Sequence, residues 1–193
     1  MKVHNVHECS LEADAQQIAQ LIDSLASAHD RLWPVQCWPR MRFDRPLGVG
    51  ARGGHGPIGY VVEAYRPGRS LAFRFTHPKG FHGVHRFEVV EHHSQPFVLR
   101  HAIEMEVKGA ALLSWPLVIR PLHDALLEDA LATARASLGM APRMRPWSPW
   151  VRIVRWIMSG GKAQKQGLPN PEVVEKKLQD ATPANANAPN QLK

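Results

Sequence analysis

Histidine is the residue type in this chain best suited to chemistry: there are 11 in 193 residues, and imidazole is the side chain whose charge changes near neutral pH. His85 shares a face with Phe87, and His101 shares one with Ile103 and Met105, in runs whose alternation marks half-buried strands. A mostly apolar pocket with a few polar groups is how small-molecule sites are built. His85 and His101 are therefore the candidate acid–base residues, with His123 on a later helix and His77 at a strand end as further candidates. The bland reading gives each imidazole a backbone carbonyl, a carboxylate such as Glu104, or solvent as its partner. No metal is expected, because the close pair His82 and His85 has no Cys or carboxylate at ligand spacing and a metal site needs three or four donors. No cofactor is expected either. The Gly-rich run LGVGARGGHGPIG, Leu47 to Gly59, lacks the Lys-Ser/Thr ending of a P-loop and does not open a helix, so it reads as a bend or wide turn between strands. Cys9 and Cys37 have no protease-like or thioredoxin-like flanks, which disfavours covalent catalysis, and two cysteines fit a reducing compartment.

The elements that must position these residues follow from hydrophobic periodicity. Lys2 to Leu11 reads as a strand, with Val3, Cys9 and Leu11 on one face and Asn5 and His7 breaking the pattern. From Asp14 the period changes: Ile18, Leu21, Ile22 and Leu25 form a helical face, capped by Asp14 with Gln17 and ending near His29. Asp30 to Met41 holds two prolines and two tryptophans and reads as an irregular turn. After Pro39 come short alternating runs separated by turn residues, the pattern of an antiparallel meander. Ile58, Tyr60, Val62 and Ala64 lead through the turn RPGR to Leu71, Phe73 and Phe75. The loop HPKGFHG leads to His85, Phe87 and Val89, and the turn EHHSQP to the strand of Leu99, His101, Ile103, Met105 and Val107. This one-sided sheet needs a cover. Ser114 to Gly139 supplies it as a long helix capped by Ser114, kinked or restarted at Pro121 and stopped at Gly139. Its stripe is Leu122, Leu126, Ala130 and Thr133, with Leu127, Leu131 and Leu138 beside it.

This order of elements, with the runs Trp38 to Phe75, GVHRFEV and WPLVIRPLHDALLEDAL, resembles the SRPBCC superfamily, which includes START lipid-transfer domains, aromatase/cyclases and birch-pollen-allergen-like proteins. The resemblance spans roughly residues 1 to 139. It implies an α+β helix-grip fold, a curved antiparallel sheet wrapped around the long helix, with the Gly-rich turn near the mouth of an internal pocket. The pocket residues expected on that fold are Phe73, Phe75, His85, Phe87, His101, Ile103, Met105, Trp115, Leu122 and Leu126.

Charge divides the chain at the same place. Residues 1–139 hold 15 Lys and Arg against 14 Asp and Glu, and residues 140–193 hold 9 against 3. The near-neutral domain argues against a nucleic-acid-binding fold, so no specific nucleic acid is expected. Residues 140–167 contain six Lys and Arg, three Trp and no acid. Ser148 and Pro149 start a helix there, with Trp150, Ile153, Val154 and Ile157 on one face, Arg152 and Arg155 opposite, and Trp156 at the flank. A membrane or docking face is thus expected from Trp147, Trp150, Arg152, Ile153, Arg155 and Trp156. The partner is an anionic membrane surface or the domain itself. Residues 168–193 read as a short helix, EVVEKKLQD, and a disordered low-complexity tail.

Three domain-level units are therefore expected: 1–139, 140–167 and 168–193. The leading function is binding or transport of a hydrophobic or aromatic small molecule or lipid. Its rivals are a cyclase or dehydratase using a pocket histidine and an interaction module with a filled core and a basic tail. The absence of a long apolar run predicts a cytoplasmic protein, peripheral to a membrane if the Trp face meets lipid.

Overall fold

A computed structural model of the chain describes residues 1–91 and 97–168. Its strands are β1 (Lys2–Leu11), β2 (Arg42–Phe43), β3 (Arg52–His55), β4 (Ile58–Arg66), β5 (Ser70–His77), β6 (Phe81–Val90) and β7 (Phe97–Val107). They form one antiparallel sheet in the order β1-β7-β6-β5-β4-β3-β2. The meander from β2 to β7 follows the chain, and β1 joins its far edge from Lys2 opposite Glu106 to Leu11 opposite Phe97.

Helix α1 (Ala15–Asp23) carries the expected reciprocal cap: the Gln17 amide donates to Asp14 Oδ1 at 2.8 Å, and the Asp14 amide donates to Gln17 Oε1 at 3.2 Å. It stops well before His29. Ala26 sits at φ 63°, and the Asp30 carboxylate accepts the amides of Ala26, Leu32 and Trp33, so the side chain of Asp30 organises the backbone that the helix would have used. Two glycine positions also differ from expectation. The Gly-rich run contains a strand, β3, as well as a turn, and a Cβ at Gly54 would lie 2.0 Å from the Ile58 carbonyl oxygen. The strand β6 starts at Phe81, inside the expected loop, because Gly83 lets it pass the Glu104 carbonyl, where a Cβ would approach to 2.2 Å. Only glycine permits such close backbone passage.

The covering helix begins earlier than Ser114, which makes no capping bond. It runs as α2 (Ala111–Ser114), a π-helical stretch (Trp115–Ile119) and α3 (Arg120–Ser137). In the π stretch the Arg120 amide reaches back five residues to Trp115. Pro121 has no amide to give the Leu117 carbonyl, and the indole N–H of Trp150 donates to it instead, at 2.7 Å. Gly139, at φ 74°, ends the helix as expected, with the Met140 amide on the Arg135 carbonyl at 2.9 Å and the Gly139 amide on that of Ala136 at 3.0 Å. Leu126, Leu127, Ala130, Leu131 and Ala134 join Leu71, Phe73 and Leu99 of the sheet in the main core. Each fully buried Leu or Phe contributes about 1.5–3 kcal/mol, so packing holds α3 in place more than helix propensity does.

The C-terminal segment folds back onto this domain. Helix α4 (Pro149–Met158) has the expected Ser148 cap, with the Val151 amide donating to Ser148 Oγ at 3.2 Å. Its orientation was not foreseen. Arg155, expected on the polar face, is buried. Its guanidinium lies 3.9 Å from the Trp38 ring centre and 4.3 Å from that of Trp147, and it donates to the Cys37 carbonyl. The two indole faces and the carbonyl offset part of the cost of burying this flat cation, whose Nε has no partner among the described residues and whose pKa burial lowers. Buried Asp129 gathers the same region: Oδ2 accepts the indole N–H groups of Trp38 at 2.7 Å and Trp147 at 2.8 Å, and Oδ1 accepts Gln166 Nε2 at 2.6 Å. Of the expected docking or membrane face, Trp147 and Arg155 are inside, while Trp150, Arg152, Ile153 and Trp156 are exposed. Among the described residues no helix is long and apolar enough to cross a membrane. The helix expected over residues 172–180, the tail after it and most of the turn EHHSQP lie outside the described residues.

Candidate functional site

Between the inner face of the sheet and the covering helix lies a cavity of about 550 Å³, within the range of small-molecule sites. The sheet contributes Phe75, His85, Phe87, His101 and Ile103 to its wall, and the helical side contributes Trp115, Leu122, His123 and Leu126. Exposed wall residues mark its mouth: Gln36, Gly56, Pro57, Met158 and Gln164. The Gly-rich run therefore reaches the mouth, and so does the C-terminal segment. A core filled solid by side chains, the premise of the interaction-module reading, is not what the structure has. Two expected pocket residues, Phe73 and Met105, do not line the cavity. Phe73 is sealed in the main core against Phe43, at a ring separation of 5.8 Å. Met105 packs with Phe81, Val107 and Trp115 in a second cluster. Sharing an inner face with the histidines placed both in the core, but strand position along that face decided which side chains border the void.

Strand register brings the two candidate histidines together. His85 pairs with Ile103, and Phe87 pairs with His101, so the imidazoles meet on the diagonal with His85 Nδ1 3.2 Å from His101 Nε2. Phe73 and Phe75 stack on the His85 ring at 4.8 Å each. His123 approaches from α3, its ring centre 5.1 Å from that of His101. Glu104, offered above as a partner, lies on the other face, paired with Arg86. His85 Nε2, His101 Nδ1 and His123 Nε2 are buried and have no hydrogen-bond partner among the described residues.

Burial, reinforced by neighbouring imidazoles, lowers the pKa of both His85 and His101 well below the ordinary histidine value. A neutral imidazole has one N–H donor and one acceptor nitrogen. Each ring spends one nitrogen on the other and has its second nitrogen buried without a partner among the described residues. Burial also lowers His123, against the pull of Asp124. His55 lines the cavity as well, with Nδ1 3.1 Å from the Tyr60 hydroxyl, and burial pushes it down to about 3.

At the edge of this row lies a cluster of the opposite character. His7, opposite His101 across the β1–β7 pair, has Nε2 3.1 Å from Asp124 Oδ1 and Nδ1 3.2 Å from Glu128 Oε1. Burial pulls its pKa down, but the two carboxylates outweigh it and the net shift is upward. Burial would raise Asp124, yet its bonds to His123, His7 and Asn5 hold it below the ordinary carboxylate value. His7, His123 and Asp124 place donor atoms within 4.8 Å of one another, the one set among the described residues with the spacing to hold a metal ion; as it stands, His7 is already satisfied by two carboxylates. Of the other candidates, His77 is exposed at the end of β5 and touches Thr76, and His82 is exposed on the face opposite buried His85. His7 and His55 were missed. The signal for His7 was present: Asn5, His7 and Cys9 keep the two-residue period of Val3 and Leu11, and polar residues on that face meant polar partners on the helix.

With this geometry in hand, likeness to solved proteins is informative about the fold. No family model matches the chain, and no curated protein matches it. Among solved structures, a protein from Thermobifida fusca shares 15% identity over 74% of this chain and 99% of its own length, at TM-score 0.55. Norcoclaurine synthase from Thalictrum flavum shares 18% over 72% and 94%, at 0.53. The di-domain ARO/CYC StfQ of the steffimycin biosynthetic pathway shares 14% over 72% and 51%, at 0.53. The chain shares the helix-grip fold of these structures.

Proposed function

We propose that the protein binds a hydrophobic, in particular an aromatic, small molecule in the cavity, oriented by hydrogen bonds from neutral imidazoles. The observation that carries this reading is the set of three buried imidazole nitrogens without partners among the described residues, on His85, His101 and His123, in a mostly apolar wall. A buried polar atom left unpaired costs about 1–3 kcal/mol, and a ligand oxygen supplies the missing partner. A purely aliphatic guest leaves that cost in place. Neighbours of the same fold include proteins named for a synthase and an aromatase/cyclase, which agrees with an organic guest.

The acid–base alternative draws on the same His85–His101 pair. It is disfavoured because a general acid or base works best with a pKa near the operating pH, and both groups are shifted well below the usual value. Binding of 2-naphthol and of naphthalene, followed by the fluorescence of Trp33 and Trp115 in the wall, separates the possibilities. The expected result is saturable binding of both, with 2-naphthol about tenfold tighter, as one hydrogen bond provides, and loss of that preference in His101→Phe. Failure of either compound to bind, together with no bound small molecule in native mass spectrometry of fresh protein, overturns the reading. Turnover of a polyketide-like substrate that His85→Gln and His101→Gln abolish favours the cyclase.

A further inference from the structure

The outward side of α4 is at odds with a helix that has finished packing. Its inward side consists of Val151, Val154 and Arg155. Its outward side carries Trp150, Ile153, Trp156 and Ile157, with Arg152 as the single exposed charge of the helix. A helix apolar on nearly every side is ordinarily buried on every side, yet Ile157 is 63% exposed and Met158 57%. The same surface continues onto the start of the covering helix, where Leu113 is 69% exposed and Leu117 is exposed beside it. The bond from the Trp150 indole to the Leu117 carbonyl fastens these two parts into one face. Most of the exposed large hydrophobic side chains of the described residues belong to this face, which is far more than the scattered apolar residues of an ordinary surface.

We propose that this face docks onto an anionic lipid bilayer and that the cavity opens toward the membrane when it does. The flanking charge selects the partner. Residues 140–167 expose Arg143, Arg145, Arg152, Lys162 and Lys165, of which Arg145 pairs with Glu128, and contain no acid, so two copies meeting through this face would bring basic groups against basic groups, whereas anionic headgroups complement them. Exposed tryptophans suit the headgroup boundary, where an indole keeps its ring in apolar surroundings and its edge near water. Position adds a second argument. Met158 belongs both to the exposed face and to the cavity mouth, so docking brings the mouth next to the bilayer surface. Docking stands independently of the ligand; use of that mouth by a ligand rests on the cavity binding proposed above.

The test is flotation of the full chain with phosphatidylcholine vesicles and with vesicles also containing phosphatidylserine, at low and high salt. The expected result is flotation with the anionic vesicles at low salt, a severalfold loss at high salt or without phosphatidylserine, and at least a tenfold loss for the double variant Leu113→Glu, Ile157→Glu. Both substituted side chains already face solvent, so an unchanged thermal midpoint shows that the variant folds. His101→Phe, which alters ligand binding, is expected to float like the unmodified protein, so failure of the cavity reading and failure of docking are separable. No flotation with anionic vesicles overturns the proposal. So does flotation that the double variant leaves intact, or a concentration-dependent dimer in sedimentation that the double variant dissociates, which assigns the face to a second copy.

Discussion

Two groups of histidines less than a helix width apart are treated in opposite ways. His85 and His101 are enclosed by Phe73, Phe75 and Phe87, and burial holds them neutral. His7, across the strand pair from His101, is bracketed by Asp124 and Glu128 and is shifted toward the protonated form. The first group is buried, whereas the His7 cluster keeps partial contact with water. The difference is two carboxylates and a lesser loss of solvent around His7; His123, with Asp124 alone at 3.5 Å, is still shifted by burial toward the neutral form. The neutral row suits the recognition of an uncharged polar guest, and the charged cluster ties β1 to α3 at the cavity's edge.

Acidification should expose the contrast most strongly. His85 and His101 have folded pKa values well below the unfolded value near 6.5. As pH falls below about 6.5 the unfolded chain takes up protons that the folded chain refuses, and stability drops by about 1.4 kcal/mol per pH unit for each such histidine. Urea midpoints at pH 7, 6 and 5 are expected to fall steeply. The double variant His85→Gln, His101→Gln should flatten the slope by about 3 kcal/mol per unit. An unchanged slope would show that these histidines are not the neutral ones.

A third kind of burial sharpens the comparison. Asp129 is enclosed like the histidine pair but collects three N–H donors, from Trp38, Trp147 and Gln166. Asp129→Ala leaves two buried indole N–H groups unpaired and should cost about 3–5 kcal/mol in chemical denaturation. The C-terminal segment should loosen with it, visible as faster proteolysis within residues 140–167. If cleavage there stays slow, the segment is held by α4 packing and not by Asp129.

The smallest effect belongs to the charged cluster, because Asp124 is about a third exposed and screening reduces what its ion pair contributes. The His7 contribution is complete below pH 6.5 and is lost as pH rises through its raised pKa. The Asp124 contribution is complete above its unfolded value and is lost as pH falls through its lowered one. The pair is therefore whole between about pH 4 and 6.5. Asp124→Asn should cost about 1 kcal/mol at pH 6 and less at pH 9, read from thermal midpoints. An equal cost at both values would mean that Asp124 acts by packing and not by charge.

Much of the fold was legible in the residues. Alternation at Tyr60, Val62, Leu71, Phe73, Phe87 and Leu99 identifies strands half covered by a core, and the Asp14–Gln17 pair and Gly139 mark helix ends whose chemistry is local. The same alternation placed His85 and His101 on the inner face. It could not say which inner residues border a void: Phe73 and Met105 share that face and are packed away, while His55, in a run read as a turn, lines the cavity. Local signals also misplaced the start of the covering helix, since Ser114 was available as a cap and was not used.

What the sequence by itself determined is therefore the period of each element and the caps that stop it, because both depend on neighbours a few positions away. The tertiary structure decided the protonation of each histidine, the turning inward of Arg155 between Trp38 and Trp147, and the exposure of the apolar side of α4. These depend on groups such as Asp124, Glu128 and Asp129 that are brought from 90 or more positions away to His7 and Trp38. Electrostatics and packing act on distance in space, which a linear pattern of residue types does not contain.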